Sequence, residues 1–451
     1  MALKKDAVLA RIDQKKGVRL LMDLINIPSP TGSEKGMTDY LAQRFRKMGM
    51  KVKLQEVEDN RFNCIGILPG SGGGPSLMFN GHMDTSLTGL EEHDLSVVGE
   101  MHDGFRPRAF IDDGYVRGLG AWNMKHALAC YIMAAEAIIR SKVKLKGDLV
   151  IAGVVGEIEK TPVKTLTKTY QGPLYRGAGC GTRFLATHGI RTDYAVIGEV
   201  NDLHITTAHP GYCWFRLTCR GRFTRTTAIS RGVNAIKKMT RVINALDSWG
   251  EKYTERERRS HERHLKGHPY SVVKPNVNIG AIEGGWPFKP TWSTAVCNLY
   301  VDIRTIPGKP LTEVESELND LLKRLEREDP QLNVSAEMYM SNPGGGLANP
   351  DSPVVHAAEK AIQRVRGKKP GRLPEEFASY WCDINILNRM GIEAITVGPG
   401  HEKETRWDGK GEYCSVHDLV QGAQVYALMA LDVCSKERGM IRGNREKQFI
   451  G

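Results

Sequence analysis

The sequence lacks the features that mark secreted and membrane-spanning proteins. Its nine cysteines are dispersed singly and form no CxxC pair, which argues against a zinc ribbon and against a disulfide framework. No apolar run is long enough to cross a bilayer, and the N-terminal stretch MALKKDAVLARIDQKKGVRLL carries charges where a signal peptide has an apolar core. We therefore expect a cytoplasmic protein whose cysteines stay reduced.

The net charge of +11 is not organised as a nucleic-acid-binding surface. The basic residues are spread along the chain, without a platform in which aromatic residues alternate with them. The densest charged run, TERERRSHERHLKG, mixes both signs, as solvated segments do. Because a positive surplus also suits an anionic small molecule, we expect a small-molecule substrate and neither nucleic acid nor a membrane as partner.

The chain has 451 residues, more than a single hydrophobic core usually holds. The pattern of predicted helices and strands also changes twice along it. Near both ends, continuous apolar runs alternate with helical patterns, which predicts an α/β fold with a mostly parallel sheet and helices on both faces. Between them, the order βαββαβ predicts a small α+β domain. We predict a catalytic domain of residues 1–207 and 343–451 and an inserted lid domain of residues 208–342.

Polar residues follow the apolar runs where each predicted strand ends. PSLMFNGHMDT ends in His82 and Asp84, GDLVIAGVVGEIE in Glu157 and Glu159, and DYAVIGEV in Glu199. The carboxyl ends of parallel strands meet at one edge of a sheet, where ligands bind. Each residue alone is compatible with a structural ion pair or hydrogen bond. Their coincidence at one edge instead favours a site of metal ligands or a general base.

Asn123 lies between a glycine-rich turn and a predicted helix in RGLGAWNMKHALACYIM. Gly118 and Gly120 permit a tight turn, and apolar residues at helical spacing follow Asn123. The side chain is therefore placed either as an N-cap or as a polar ligand at the tip of the strand. On this stretch alone the N-cap is the favoured interpretation.

The order of these motifs resembles the aminoacylase, carboxypeptidase G and succinyl-diaminopimelate desuccinylase family of zinc metallohydrolases. The resemblance covers nearly the whole chain, from GHMDT through DDGYVRGLGAWNMKHALA, GEIE and DYAVIGEV to GVNAI, VDIRTIPG and VGPG…EYCSVHDL. It implies a zinc-exopeptidase-like fold, the two-metal site of that family, and hydrolysis of amide-like C–N bonds.

The resemblance also implies a role for each matching residue. His82 and Glu199 would hold the first metal, Asp84 would orient His82, and Glu157 would be the general base. Asn123 stands where the family has an Asp that bridges both metals.

The ligands of the second metal are missing from the matching positions. Ile158 replaces a Glu, and Asp408 stands near the place of a late His. We therefore predict one loosely held divalent transition metal, which could be zinc, manganese, cobalt or iron, bound by His82, Asn123 and Glu199. The further ligand candidates are Glu159, His401 and Asp408.

Other departures bear on the substrate. Arg225 replaces a lid histidine that in the family reaches the partner subunit, so we expect a homodimer or higher homo-oligomer in which Arg225 binds a pair of oxygen atoms. Trp122, Trp381 and Trp407 lie inside the motif segments and predict a flat aromatic wall. The alternatives are a surface arginine and aromatic residues that only pack the core.

Together these residues predict a metal-dependent hydrolase that cleaves a C–N bond in a small aromatic substrate bearing a carboxylate. One candidate reaction is hydrolytic deamination of an aromatic amine of the 5-nitroanthranilate type. Another is deacylation of N-acyl amino acids. A third, of a different class, is ligand binding without catalysis, against which the retained Glu157 argues.

Overall fold

A computed structural model describes residues 2–166, 174–265, 268–400 and 409–438, without the side chains of residues 2 and 3. His401, Trp407 and Asp408 lie outside the described residues. The helices of the described residues are α1 (Ala2–Leu9), α2 (Gln14–Ile25), α3 (Lys35–Lys47), α4 (Glu91–Val98), α5 (Lys125–Arg140), α6 (Cys180–Thr187), α7 (Ala235–His264), α8 (Leu311–Glu328), α9 (Pro353–Arg366), α10 (Ile384–Arg389) and α11 (Val416–Cys434). The strands are β1 (Lys51–Glu58), β2 (Arg61–Leu68), β3 (Leu77–His82), β4 (Phe110–Asp112), β5 (Tyr115–Arg117), β6 (Leu149–Val154), β7 (Tyr194–Ile197), β8 (Gly211–Arg220), β9 (Thr224–Arg225), β10 (Asn276–Gly284), β11 (Trp292–Ser293), β12 (Val296–Thr305), β13 (Asn333–Asn342), β14 (Glu393–Thr396) and β15 (Tyr413–Ser415).

The larger sheet has six strands in the order β1-β2-β6-β3-β7-β14. The four strands from β6 to β14 run parallel, and β1 and β2 are antiparallel at one edge. Helices cover both faces. In β3, Gly81 lies against Leu128 of α5, whereas Asn80 on the opposite face donates to Thr182 of α6. The predicted mostly parallel α/β architecture is confirmed.

The second sheet is antiparallel and has the order β10-β12-β8-β13. Alternate residues of β8 are buried, and they share a separate core with α7 and α8. The elements β8, α7, β10, β12, α8 and β13 follow the predicted βαββαβ order. The short pair of β9 with β11 is an addition that the pattern did not predict. The boundaries 208–342 for the lid domain remain our assignment.

None of the helices within the described ranges has the length and apolar character that crossing a bilayer would require.

His209 precedes β8 at the start of the lid domain and gives an expected pH dependence of stability. The ring is buried between the carbonyl of Tyr380, 3.1 Å from Nδ1, and the hydroxyl of Thr396, 2.9 Å from Nε2. Burial lowers the pKa of His209 to about 4. The unfolded chain binds this proton near pH ~6.5, so the free energy of unfolding should fall by roughly 1.4 kcal/mol per pH unit from there towards the folded-state pKa.

His209→Gln is expected to remove this part of the pH dependence. We would measure urea unfolding across that pH interval for the native chain, for His209→Gln and for His264→Gln, whose side chain is exposed at the end of α7. Only His209→Gln should flatten the fall in stability. If the free energy of unfolding of His209→Gln falls with pH as steeply as that of the native chain, the His209 ring is not kept neutral by burial.

Candidate metal centre

Three acidic or imidazole side chains from three strand ends converge on one point. His82 ends β3, Glu157 follows β6 and Glu199 follows β7. His82 Nε2 lies 3.3 Å from Glu199 Oε1 and 3.8 Å from Glu157 Oε2. One ligand atom from each residue lies within 4.8 Å of the others, and all three residues are buried. Within the described ranges, no other group of His, Cys, Asp and Glu meets this condition.

The hydrogen bonds of His82 decide which ring nitrogen faces this point. Nδ1 donates to the main-chain carbonyl of Asp84 at 2.8 Å, so the lone pair of the neutral ring is on Nε2. Among the described residues, oxygen atoms of Glu157, Glu199 and Asn123 lie close to Nε2. A lone pair opposite three oxygens requires a proton or a cation between them. The donor set of one imidazole nitrogen with carboxylate and amide oxygens suits a divalent transition metal.

Asn123 is part of this oxygen shell and does not cap the following helix. Its Oδ1 lies 2.9 Å from His82 Nε2. Helix α5 begins at Lys125, and its cap position is Met124, with no side-chain hydrogen bond to the helix. The N-cap interpretation is therefore wrong, because the amide is turned towards the histidine. As a ligand, the neutral amide oxygen attracts a cation less than a carboxylate does.

Glu412 holds the loop that carries Asn123. Its Oε2 accepts the main-chain N–H groups of Gly120 at 2.9 Å and of Trp122 and Asn123 at 3.1 Å each. The carboxylate is buried, and Lys125, also buried, lies close enough to stabilise its charge. The sequence places Glu412 in the EYCSVHDL motif, yet nothing in that motif indicates which backbone the carboxylate contacts.

Asp84 acts through two different groups. Its main-chain oxygen accepts from His82, while its Oδ1 is 3.6 Å from the same Nδ1. The carboxylate instead accepts the N–H groups of Glu157 at 3.1 Å and Ile158 at 3.2 Å, and the hydroxyl of Thr31 at 2.9 Å. The predicted orientation of His82 thus comes from the main chain of Asp84, and its carboxylate fixes the Glu157 loop.

Charge and burial together shift the pKa values at this point. Burial lowers the pKa of His82, but the hydrogen bond and charge of Glu199 outweigh it and raise that pKa well above its ordinary value. Burial raises the pKa of Glu157 well above its ordinary value, and the charge of Glu199 adds to the effect. A carboxyl with a raised pKa can both take and return a proton near neutral pH.

Asp383 is a fourth acid beside the centre, and the sequence analysis missed it. It is buried, the hydroxyl of Thr182 donates to its Oδ2, and its Oδ1 has no hydrogen-bond partner among the described residues. Burial raises the pKa of Asp383 to about 7. In the sequence it is a lone acid in YWCDIN, and only its placement directly before an apolar run could have indicated burial.

Glu159 does not join the group around His82. Arg304 lies on β12 of the second, antiparallel sheet, which we call the lid sheet. Its Nη1 donates to one carboxylate oxygen of Glu159, and its Nη2 donates to the other at 3.0 Å. Nε of Arg304 donates to Asp302 at 2.7 Å. Of the further ligand candidates, Glu159 is therefore occupied by an ion pair between the lid sheet and the Glu157 loop.

A cleft of about 2120 Å³ opens over the centre. It is bounded by Glu157, Glu199 and Asn123 on one side and by elements of the lid sheet on the other. The aromatic residues that line it are Trp122, Tyr175, Trp214, Phe377, Tyr380 and Trp381. Trp122 and Trp381 both line the cleft, but Trp381 is almost fully buried and packs with Tyr212 and Ile386 in a core cluster. Contact of either ring with a substrate stays a prediction.

Arg225 does not reach this cleft within one chain. It is exposed on β9 and pairs with Trp292 of β11. Around it is an exposed aromatic patch, which we define as Phe223, Trp286, Phe288 and Trp292. The rings contact one another, with centroids 5.4 Å apart for Trp286 and Trp292.

Comparison with known proteins agrees with this geometry. The sequence model described as Peptidase family M20/M25/M40 matches residues 78–432. The chain is 23% identical over 436 residues to N-formyl-4-amino-5-aminomethyl-2-methylpyrimidine deformylase of Bacillus subtilis, covering 91% of this chain and 92% of that protein. It is 25% identical over 394 residues to acetylornithine deacetylase of Photorhabdus laumondii, covering 85% of this chain and 89% of that protein.

A solved structure with the same fold is human carnosine dipeptidase 1. The TM-score is 0.73 with 16% sequence identity, and the match covers 96% of this chain and 99% of that chain. At this identity the likeness concerns the fold.

Proposed function

Because the chain belongs to peptidase family M20/M25/M40, whose members are hydrolases of amide bonds that use divalent metals, we propose that it cleaves a C–N bond in a small aromatic substrate bearing a carboxylate. The observation that carries the proposal is the set of oxygen atoms, from Glu157, Glu199 and Asn123, that lies around His82 Nε2 in the described part of the chain. We propose one metal at this group.

His82, Glu199 and Asn123 would hold the metal, which supplies Lewis-acid polarisation of the bond to be cleaved. Glu157 is the general base of the proposal. Its carboxylate accepts a proton from the attacking water and returns it to the departing nitrogen. The raised pKa of Glu157 favours the protonated form between these two steps. Asp84, by holding the main chain of Glu157, keeps the carboxylate in place.

Two reactions fit the cleft. The aromatic wall, with Trp122 and Trp381, favours a planar substrate and therefore hydrolytic deamination of an aromatic amine of the 5-nitroanthranilate type. The names of the two sequence relatives, a deformylase and a deacetylase, favour hydrolysis of an N-acyl group. Ammonia release from 5-nitroanthranilate and acetate release from N-acetyl amino acids separate the two.

Each result of that assay has a definite meaning. Ammonia from the aromatic amines assigns deamination, and acetate assigns deacylation. If neither product forms with zinc, manganese, cobalt or iron present, deamination of 5-nitroanthranilate and hydrolysis of N-acetyl amino acids are both excluded. Saturable binding of the same compounds without turnover would then support the third candidate, a ligand-binding protein.

Asn123→Asp is expected to tighten metal binding by about tenfold or more, because it adds a charge to the oxygen shell 2.9 Å from His82 Nε2. Asn276→Asp, at an exposed position of β10, adds the same charge elsewhere and should leave affinity unchanged. Calorimetric titration with manganese gives affinity and stoichiometry together. Two metals per native chain would contradict the one-metal proposal.

We also propose that the protein is a homodimer through the lid domain and that Arg225 acts in the partner subunit's cleft. The exposed aromatic patch around Arg225 supports this, because contiguous exposed rings mark interaction surfaces. There Arg225 would bind a planar pair of oxygens, such as a nitro group or a carboxylate, in bidentate fashion.

Subunit mixing tests the role of Arg225. Arg225→Ala and Glu157→Gln are each expected to be inactive. A mixed dimer regains one intact site, because one chain supplies Glu157 and the other supplies Arg225. Mixing the two variants should therefore restore turnover, and sedimentation should show dimers. Monomers in sedimentation, or no recovery on mixing, would remove the proposal of a shared site.

A further inference from the structure

The charged side chains that line the cleft are mainly acidic, although the proposed substrate is an anion. Its acidic lining residues are Glu92, Asp94, Glu157, Glu159, Glu199 and Glu376. Among the described residues that line it, Lys160 is the only lysine or arginine. A carboxylate that enters this cleft needs a cation to offset the surrounding charge. Among the described lysines and arginines that line the cleft, Lys160 is the candidate.

The position of Lys160 is fixed relative to the general base. Its main-chain N–H donates to the carbonyl of Ile158 at 2.8 Å, and the N–H of Ala178 donates to the same carbonyl at 2.9 Å. Asp84 accepts from the N–H groups of Glu157 and Ile158. The loop that carries the base thus also carries Lys160, three residues later.

The ammonium group of Lys160 is not paired with a carboxylate. Nζ donates to the main-chain carbonyl of Ser86 at 3.2 Å, and no ion pair within 4.0 Å joins it to an acid in the described part of the chain. The nearby Asp94 is occupied by the N–H groups of Thr88 and Gly89 and by the Thr88 hydroxyl. Lys160 is half-buried, so its charge is less screened than that of a surface lysine.

Arg304, the other cation beside the Glu157 loop, is already neutralised. Its guanidinium donates to Glu159 and to Asp302. Removing it from those two half-buried carboxylates to bind a third would leave both acids without their cation. Lys160 gives up only a single hydrogen bond to a carbonyl or keeps it, because an ammonium has three donors.

We propose that Lys160 Nζ binds the carboxylate of the substrate and thereby determines the specificity of the cleft for anionic substrates. The inference rests on the proposed function for the presence of that carboxylate. Arg225 of the partner subunit would then bind a second oxygen pair, so a ligand with a single carboxylate should depend on Lys160 alone.

The test uses binding of benzoate and of its uncharged analogue benzamide to the manganese-loaded full chain, measured by calorimetry. Lys160→Met keeps an unbranched side chain that is one atom shorter and removes the charge. The substitution is expected to weaken the binding of benzoate at least about tenfold and to change the affinity for benzamide by less than about twofold. Lys160→Arg should retain most of the affinity. Arg225→Met should leave benzoate within about twofold of the native value.

Other outcomes overturn the inference. Equal effects of Lys160→Met on benzoate and benzamide would show a structural role only. If Arg225→Met loses benzoate binding and Lys160→Met keeps it, Arg225 is the residue that binds the carboxylate. Failure of benzoate to bind the native protein would also reject it. An unchanged melting temperature in Lys160→Met verifies that the variant folds.

The binding test is independent of turnover. If the panel of amines and N-acyl compounds yields no product while benzoate still depends on Lys160, the proposed reactions fail and the carboxylate site stands. If a substrate is found, Lys160→Met should raise KM and leave kcat within about threefold, since its contact is equally present in the ground state. A loss confined to kcat would contradict the assigned role.

Discussion

Glu157→Gln should lower kcat by about a thousandfold, within the range that general bases contribute. Glutamine has the same shape but takes no proton from the attacking water. The main chain at this position is held by Asp84, so the substitution should not displace the loop. The measurement is steady-state turnover of the substrate identified above, with metal content determined on the same samples.

Glu376→Gln is the matched control, because Glu376 is an exposed acid that lines the same cleft. It removes the same charge without touching the group around His82, and turnover should stay within about threefold of native, the effect of a weak exposed charge. Full turnover in Glu157→Gln would eliminate Glu157 as the base. Loss of metal together with turnover would make Glu157 a ligand instead.

Glu412→Ala is expected to lower the free energy of unfolding by about 3–5 kcal/mol, as removing one partner from a buried charged network does. Three main-chain N–H groups, of Gly120, Trp122 and Asn123, would lose their acceptor. The buried ammonium of Lys125 would lose its nearby negative charge and keep only the carbonyl of Ile27, 2.7 Å away. Metal affinity should fall as well, since Asn123 is carried by this loop.

Glu412→Gln separates the hydrogen bonds from the charge. It keeps an acceptor oxygen, so we expect a smaller loss, about 1–3 kcal/mol. Glu337→Ala serves as control, because Glu337 on β13 is paired with Arg216 at the surface and should change stability by less than about 1 kcal/mol. Urea unfolding measures all three. A loss in Glu412→Ala no greater than in Glu337→Ala would show that the loop is held by other contacts.

The positions of His82, Glu157 and Glu199 could be predicted because the signal is local. Each follows a continuous apolar run, and parallel strands bring their carboxyl ends to one edge. The family-level resemblance, the α/β architecture and the class of divalent-metal hydrolase are all confirmed. The assignment of individual roles at the site stays a prediction.

Contacts between distant parts of the chain could not be predicted. Glu412 is 289 residues from Asn123, and nothing in either segment indicates that they meet. Asp383 is likewise placed by Thr182, 201 residues earlier in the chain. The sequence places Glu157 and Glu159 at the end of the same predicted strand. Their partners differ because a guanidinium from the lid sheet binds the second of them.

The ion pair of Arg304 with Glu159 makes the lid domain a poor candidate for exchange between relatives. A transplanted lid without an arginine at position 304 would leave the half-buried charge of Glu159, two residues after the base, without its partner. Chimaeras should therefore function only when positions 159 and 304 are transferred together. Over evolutionary time, the two positions are expected to covary, although 145 residues separate them in the sequence.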